Sequence, residues 1–476
     1  MHPKTFALQL EKKLDFKPTQ SQLIWFKEIS NFILSEDLNS VFVLKGYAGS
    51  GKTTLLGSLV LQLNIINYTA VLIAPTGRAA KVMSTYSNHP AHTIHKQIYN
   101  TKSEDTGNII FRLKKNTHKN TIFIVDEASM IGNEIIQNKF SKSDSLLNDL
   151  VKYVRGGYNC KLLFVGDPAQ LPPINLTLSP ALDSDLLKEY YFDKVFTVEL
   201  TFVVRQKENS GILNNATTIR KQLNQNIYNK FKFNINGYND IRNLNDRNNI
   251  LEEVESAYHI SGIDQTVFIV RSNKRAYLFN KQIRQSILNY EDNISIGDRL
   301  MVLKNNYFWL SNTSKPGFIA NGDIIEIIKI KSIKEIYGFS FAEVHVLLVD
   351  YPDELPIETV LLLDTLETVT ASLSYEESNR LYKNIMEDYI DEKSKFKRLI
   401  KVKENKFFNA LQVKYSYAIT CHKSQGGQWE NIFLEKPYLP NGLNKEYLRW
   451  LYTAVTRSTK NLYLIGFIGE DFNMKS

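Results

Sequence analysis

The sequence predicts an α/β fold of two lobes, each a parallel sheet flanked by helices, with a small hairpin inserted in the first lobe and a β-barrel in the second. Three observations predict it. Short apolar runs recur early in the chain, "VFVL", "AVLIA", "TIFIV" and "KLLFV", each ending where a polar or Gly-rich cluster begins. Runs of this length, separated by helical stretches, are buried parallel strands, and the ligands of such sheets gather beyond the C-terminal strand ends. A second set, "TVFIVRS", "YSYAIT", "NIFLE" and "NLYLIG", follows Glu199. Between Ile296 and Ala410 the pattern changes to short strands and turns such as "NGDIIEIIKI" and "FAEVHVLLVDY", a composition suited to a small barrel.

The first lobe is expected at residues 1–95 and 121–198, interrupted by a basic hairpin at 96–120 ("NIIFRLKKNTHKN"). The second is expected at 199–295 and 411–476, split by the β-rich insertion at 296–410. In "KPTQSQLIWFKEI", Thr19 and Gln22 satisfy a capping box, with Trp25, Ile29, Phe32 and Ile33 as the buried stripe of the helix that follows. The Gln22 amide also suits the edge of an adenine. One helix interrupts the β-rich insertion, where Leu381, Ile385 and Tyr389 repeat at helical spacing. The run "KSKFKRLIKVK" at 393–403 reads as a solvated charged face or a polyanion contact.

"GYAGSGKTT", residues 46–54, is a phosphate-binding loop. It matches G-x-x-x-x-G-K-[ST] through Gly46, Gly51, Lys52 and Thr53, and follows a strand and opens a helix as the motif requires. Gly49, Ser50 and Thr54 complete the cradle. Lys52 reaches the terminal phosphates and Thr53 the Mg²⁺ that accompanies ATP. Asp126-Glu127 follows the third strand; Asp126 suits the metal, and Glu127 the attacking water. In "GDPAQLPP", Gln170 is placed to position that water or sense the γ-phosphate. Arg205 in "ELTFVVRQ" and Arg457 in "YTAVTRS" are candidates for stabilising the transition state, since a guanidinium stays charged and can bind phosphate oxygens bidentately. Both lie in the second lobe, which implies a cleft that closes on nucleotide and opens after hydrolysis.

Three further clusters carry hydroxyls, imidazoles and amides suited to phosphodiester contacts. They are "APTGRAAK" with Pro75, Thr76 and Arg78; "AHTIH" with Thr93 and His95; and "TCHKSQGGQW" with Thr420, His422, Lys423 and Ser424, Gln425 following in the same cluster. The 58 Lys and Arg against 50 Asp and Glu leave a net charge of +8, which suits an anionic partner without requiring one. Cys160 and Cys421 are far apart with no ligand spacing, so neither a disulfide nor a metal site of their own is expected. No apolar run approaches the ~18 residues of a membrane span, and the N-terminus lacks a signal-peptide core, so a cytoplasmic location is expected.

In their order along the chain these motifs resemble those of superfamily 1 helicases, and most closely the 5'-to-3' subgroup of RecD-like, Dda-like and Pif-like enzymes. The resemblance implies two RecA-like lobes with ATP and Mg²⁺ between them, a barrel of the SH3-like kind in the second, and single-stranded DNA across their tops. It assigns the adenine side to Gln22, the phosphates to Lys52, and the metal to Thr53 and Asp126. It makes Glu127 the catalytic acid, Gln170 the sensor, and Arg205 and Arg457 the fingers. The DNA grip falls on Thr76, Thr93, His95, Thr420 and His422. It makes the hairpin the duplex splitter, with Tyr99 and Phe111 as candidate wedges. It further implies travel 5' to 3', action at single-strand/duplex junctions as a monomer, and roles beside DNA replication, recombination or repair proteins. Residue chemistry alone stops short of this and equally admits an RNA remodeller or an ATP-controlled switch.

Overall fold

The computed structural model describes residues 1–103, 109–132, 145–202, 209–310, 314, 316–370, 372–440 and 442–473, with side chains described outside 101–111. Its first sheet is six-stranded and parallel. The strand order is Ala91–Thr93, Thr69–Ala74, Lys119–Val125, Tyr158–Gly166, Ser40–Gly46 and Lys194–Leu200. The four apolar runs are four of these strands, and their period of two divides the core. Phe42 and Leu44 face the N-terminal helices through Trp25, Ile29 and Phe32, whereas Val41 and Val43 pack with Phe123, Val125 and Phe164 on the opposite face. Helix Gln20–Leu34 starts with the expected capping box and buries the expected stripe.

The second sheet is also parallel, in the order Ala418–Thr420, Thr266–Val270, Trp429–Glu435, Ser458–Ile465 and Ile241–Leu244. In the closed barrel, strands Arg299–Val302, Ile324–Ile336, Phe339–Leu348, Ile357–Leu362 and Leu411–Tyr415 pair antiparallel, except for the parallel contact of the last two. The closing strand therefore lies just beyond residue 410, where the composition change places the end of the insertion. Val413 alternates into the barrel core like any other barrel residue, and sequence composition does not mark such a step.

Barrel and second lobe share one core. Leu300, Val302 and Val344 join Phe268, Phe433 and Tyr463, whose rings stack at 4.8 and 4.5 Å. A buried ion pair fixes the junction: Arg284 donates from Nε and Nη2 to the two Asp298 oxygens at 2.9 Å each, and the Tyr417 hydroxyl donates to the same carboxylate at 2.8 Å. Among the described residues three helices, not one, interrupt the insertion: Asp364–Glu367, Tyr375–Glu387 and Lys395–Glu404; the middle one buries Leu381 and Ile385 and ends before Tyr389. In the first lobe, strands Tyr99–Ser103 and Ile109–Leu113 form the hairpin. Both cysteines are free and buried. Among the described residues no helix is long and apolar enough to cross a membrane, and no cluster of three metal-ligating side chains occurs.

Candidate functional site

The phosphate loop joins strand Ser40–Gly46 to helix Lys52–Gln62, with Gly49 at φ 78° and Gly51 at φ 87°, the left-handed backbone that turns successive N–H groups inward. The Lys52 ammonium donates to the carbonyls of Gly46 at 2.6 Å and Tyr47 at 3.0 Å, so it lies along the loop it serves. Gln22 is fully buried. Its Oε1 accepts from Thr19 N at 2.9 Å and its Nε2 donates to Ser50 O at 3.3 Å. The amide thus ties the capping box to the phosphate loop.

Strand Lys119–Val125 delivers Asp126 and Glu127. The Tyr86 hydroxyl donates to Asp126 Oδ2 at 2.7 Å and Glu127 N donates to Oδ1 at 2.8 Å, so both oxygens are oriented. Burial beside this carboxylate pushes the Tyr86 hydroxyl far above its usual range. Glu127 has φ 51°, an uncommon conformation for a residue with a side chain and one that clusters at functional sites. Burial raises its carboxyl above the ordinary carboxylate value, opposed by Arg457 4.0 Å away. Gln170 is buried, and among the described residues its Oε1 has no hydrogen-bond partner.

The second lobe completes this cleft through helix Lys445–Val455 and the turn after Thr420. The Tyr452 hydroxyl accepts from Ala48 N in the phosphate loop at 3.1 Å and donates to Asp167 at 2.8 Å. Arg457 is buried and donates to Thr453 O at 3.2 Å and Gly427 O at 3.3 Å. Tyr47 reaches the other way. Its hydroxyl, pushed up to about 12 by burial and by Glu199, donates to Glu199 at 2.6 Å and accepts from Asn224 of the second lobe at 3.2 Å. Arg205 lies outside the described residues.

The three polar clusters converge at strand ends. Thr76 caps helix Gly77–Ser87 through Ala79 N at 3.2 Å, and Thr93 caps helix Ile94–Ile98 through Lys96 N at 3.2 Å. Thr420 ends an edge strand of the second sheet. Pro75, His95, Thr420 and Lys423 are half-buried and His422 is exposed. Desolvation by neighbouring groups lowers the pKa of both imidazoles, that of His422 despite its exposed side chain, and burial lowers that of the Lys423 ammonium.

Four assignments need correction. Ser424 is fully buried and its hydroxyl donates to Cys421 O at 2.7 Å, so it stiffens the turn instead of facing a ligand. Gln425 also turns inward, donating to Leu171 O at 2.8 Å. Arg78 lies in the lobe interface, its guanidinium 3.9 Å from the Trp429 ring centroid, and is not a free cation on an open track. Tyr99 is buried and hydrogen-bonds Asp149 at 2.7 Å, which is the setting of a core residue; the Phe111 side chain lies outside the described residues. Sequence reasoning missed Tyr86, Asp167, Tyr452 and Thr453. No helical pattern marks Thr453, because Arg457, four residues on, lies beyond the end of helix Lys445–Val455.

This geometry defines a P-loop nucleotide hydrolase of two RecA-like lobes, in which a second sheet supplies an arginine to a site built on the first. An AAA domain family matches residues 29–233 and a UvrD-like helicase C-terminal domain family matches residues 415–465. The ATP-dependent DNA helicase dda of Enterobacteria phage T4 is 23% identical over 89% of this chain and 93% of its own. The RecBCD enzyme subunit RecD of Buchnera aphidicola is 24% identical over 89% of this chain and 70% of its own. An uncharacterised protein of Methanocaldococcus jannaschii is 24% identical over 90% of this chain, which spans only 36% of that protein. A solved Pif1 helicase from Bacteroides, in complex with ADP-AlF3 and ssDNA, is 15% identical with a TM-score of 0.47, covering 97% of this chain and 95% of that one. In these matches the chain is similar to superfamily 1 helicases of the Dda-like and RecD-like subgroup.

Proposed function

We propose that this protein is an ATP-dependent DNA helicase that moves 5' to 3' on single-stranded DNA and separates duplexes at junctions, acting as a monomer because one chain supplies both halves of the cleft. The observation that carries the reading is Arg457. A buried guanidinium from the second lobe stands 4.0 Å from Glu127 of the first and is held by Gly427 O, three residues beyond the turn Cys421–Ser424. Nucleotide chemistry and a polymer contact therefore share one short segment.

In this mechanism Lys52 and the phosphate-loop N–H groups hold the nucleotide's phosphates. Glu127 takes the proton of the attacking water, Gln170 orients that water, and Arg457 with Arg205 stabilises the charge of the transition state. Thr53 and the two oriented oxygens of Asp126 are hard oxygen donors that fit Mg²⁺, which keeps few protein ligands in such sites. When bound, the ion neutralises phosphate charge. Thr76, Thr93 and Thr420, at strand ends beside His95, His422 and Lys423, contact phosphodiesters without reading sequence. Closure of the lobes around ATP and their release after hydrolysis change the spacing between these contacts, which is translocation.

The test is steady-state ATP hydrolysis with no nucleic acid, with single-stranded DNA and with RNA of matched sequence. Stimulation of tenfold or more, selective for DNA, is expected, as is unwinding of a duplex with a 5' tail but not a 3' tail. Equal stimulation by RNA would replace the reading with an RNA remodeller. A rate indifferent to both polymers would leave an ATP-controlled switch.

A further inference from the structure

The loop that carries Gln170 is clamped from the second lobe at the very next residue. Leu171 N donates to Thr453 Oγ1 at 2.8 Å, and Leu171 O accepts from Gln425 Nε2 at 2.8 Å. A peptide unit is planar, so anchoring the Leu171 N–H fixes the plane that contains the Gln170 carbonyl and restricts how Gln170 enters the cleft. Gln425 immediately follows the turn that bears His422 and Lys423. That turn is stiff: Ser424 Oγ donates to Cys421 O at 2.7 Å, Gln425 N to His422 O at 3.3 Å and Gly427 N to Ser424 O at 3.0 Å. A displacement at His422 must therefore move Gln425. The next residue, Gly426, has φ 74°, and an added Cβ would lie 2.9 Å from that of Ala79 in the first lobe, so the segment is seated against both lobes.

We propose that Gln425 is a positioning residue that transmits polymer occupancy of the Thr420–Ser424 turn to Gln170 through the Leu171 backbone, and so sets the rate of ATP hydrolysis. Two hydrogen bonds on one residue suffice for this, because displacing a reacting group by about 1 Å can cost about a hundredfold in rate. Gln425 touches neither nucleotide nor DNA in this scheme, and its effect appears only in the ratio of stimulated to basal turnover. The inference rests on the DNA-motor reading above.

The test compares wild type with Gln425→Met, which keeps the bulk and loses the donor, and Gln425→Glu, which keeps the shape and opposes a carboxylate to the Leu171 carbonyl. Each is assayed for ATP turnover with and without oligothymidylate, for oligothymidylate affinity and for thermal midpoint. The expected result is a stimulated-to-basal ratio reduced about tenfold, with DNA affinity and the KM for ATP within about twofold of wild type. A wild-type ratio in either folded variant overturns the coupling. A parallel fall of both rates at constant ratio does so too, since it marks a purely structural role. If wild type itself shows no stimulation, the DNA-motor reading fails first, a result distinct from either.

Discussion

Glu127 combines three features that a general base requires: a left-handed backbone turning it away from its strand, a carboxyl pKa raised by burial, and a cation 4.0 Å away to stabilise the ionised form. Glu127→Gln keeps the shape and removes the proposed base, so turnover should fall about a thousandfold while nucleotide affinity persists, as measured by single-turnover hydrolysis beside a binding titration. Because only the ionised carboxylate accepts the proton, wild-type turnover should decline as pH falls through a value above the ordinary carboxylate range. The residual rate of the variant should lack that limb. The chain order of the proposed site segments was legible in the sequence because the phosphate loop, the acidic pair and the segment of Gln170 each follow an apolar strand. Their partners were not. Tyr86, Ser424 and Gln425 depend on which way a side chain leaves a helix or short turn, which is set by tertiary packing and leaves no local pattern.

At the scale of elements, the barrel turn that ends at Asp323 presses on the start of helix Gly77–Ser87. An added Cβ on Gly77 would lie 2.7 Å from Asp323 Oδ1, so the glycine there permits the approach of a carboxyl group. Burial pushes the Asp323 carboxyl up from 3.8 to about 7, although Ala320 N donates to it at 2.7 Å; Asp350 adds to the rise and Lys81 opposes it. The folded form keeps the proton up to about pH 7, whereas the unfolded chain releases it near 3.8. This contribution is therefore fully present at low pH and is lost as pH rises through 7. Asp323→Asn should be more stable than wild type at pH 8, by more than about 1 kcal/mol, and equal to it only near about pH 3.5, below the unfolded pKa, as read from urea midpoints. An equal offset at both pH values would assign the change to packing. The basic run at 393–403 teaches a related lesson. It contains most of helix Lys395–Glu404, which buries Leu399 and Val402, and its Lys401 pairs with Glu392 at 3.2 Å. Charge count alone could not distinguish this partly buried helix from a polyanion contact, because apolar positions at helical spacing are diluted by the lysines around them.

The whole molecule is held as one machine by side chains that cross its cleft, and Tyr452 is the one placed to report this. It is fully buried, rises from a helix of the second lobe, takes the Ala48 N–H of the phosphate loop and gives its own proton to Asp167. No other single side chain described here bonds both the phosphate loop and the Gly166–Pro173 segment. Tyr452→Phe keeps the ring and removes both bonds, leaving a buried N–H and a buried carboxylate less satisfied. Each bond contributes on the order of 1 kcal/mol, and the one to a charged group somewhat more. If the tyrosine holds the phosphate loop ready for nucleotide, the variant should bind a fluorescent ADP about tenfold more weakly while retaining single-stranded DNA affinity, since among the described residues no residue of the proposed track hydrogen-bonds the Tyr452 side chain. Unchanged ADP affinity with a lowered melting midpoint would confine the tyrosine to holding the lobes together. Equal losses of ADP and DNA affinity would mean that the two lobes cannot keep their relative placement without it, and that both sites depend on the closed arrangement described here.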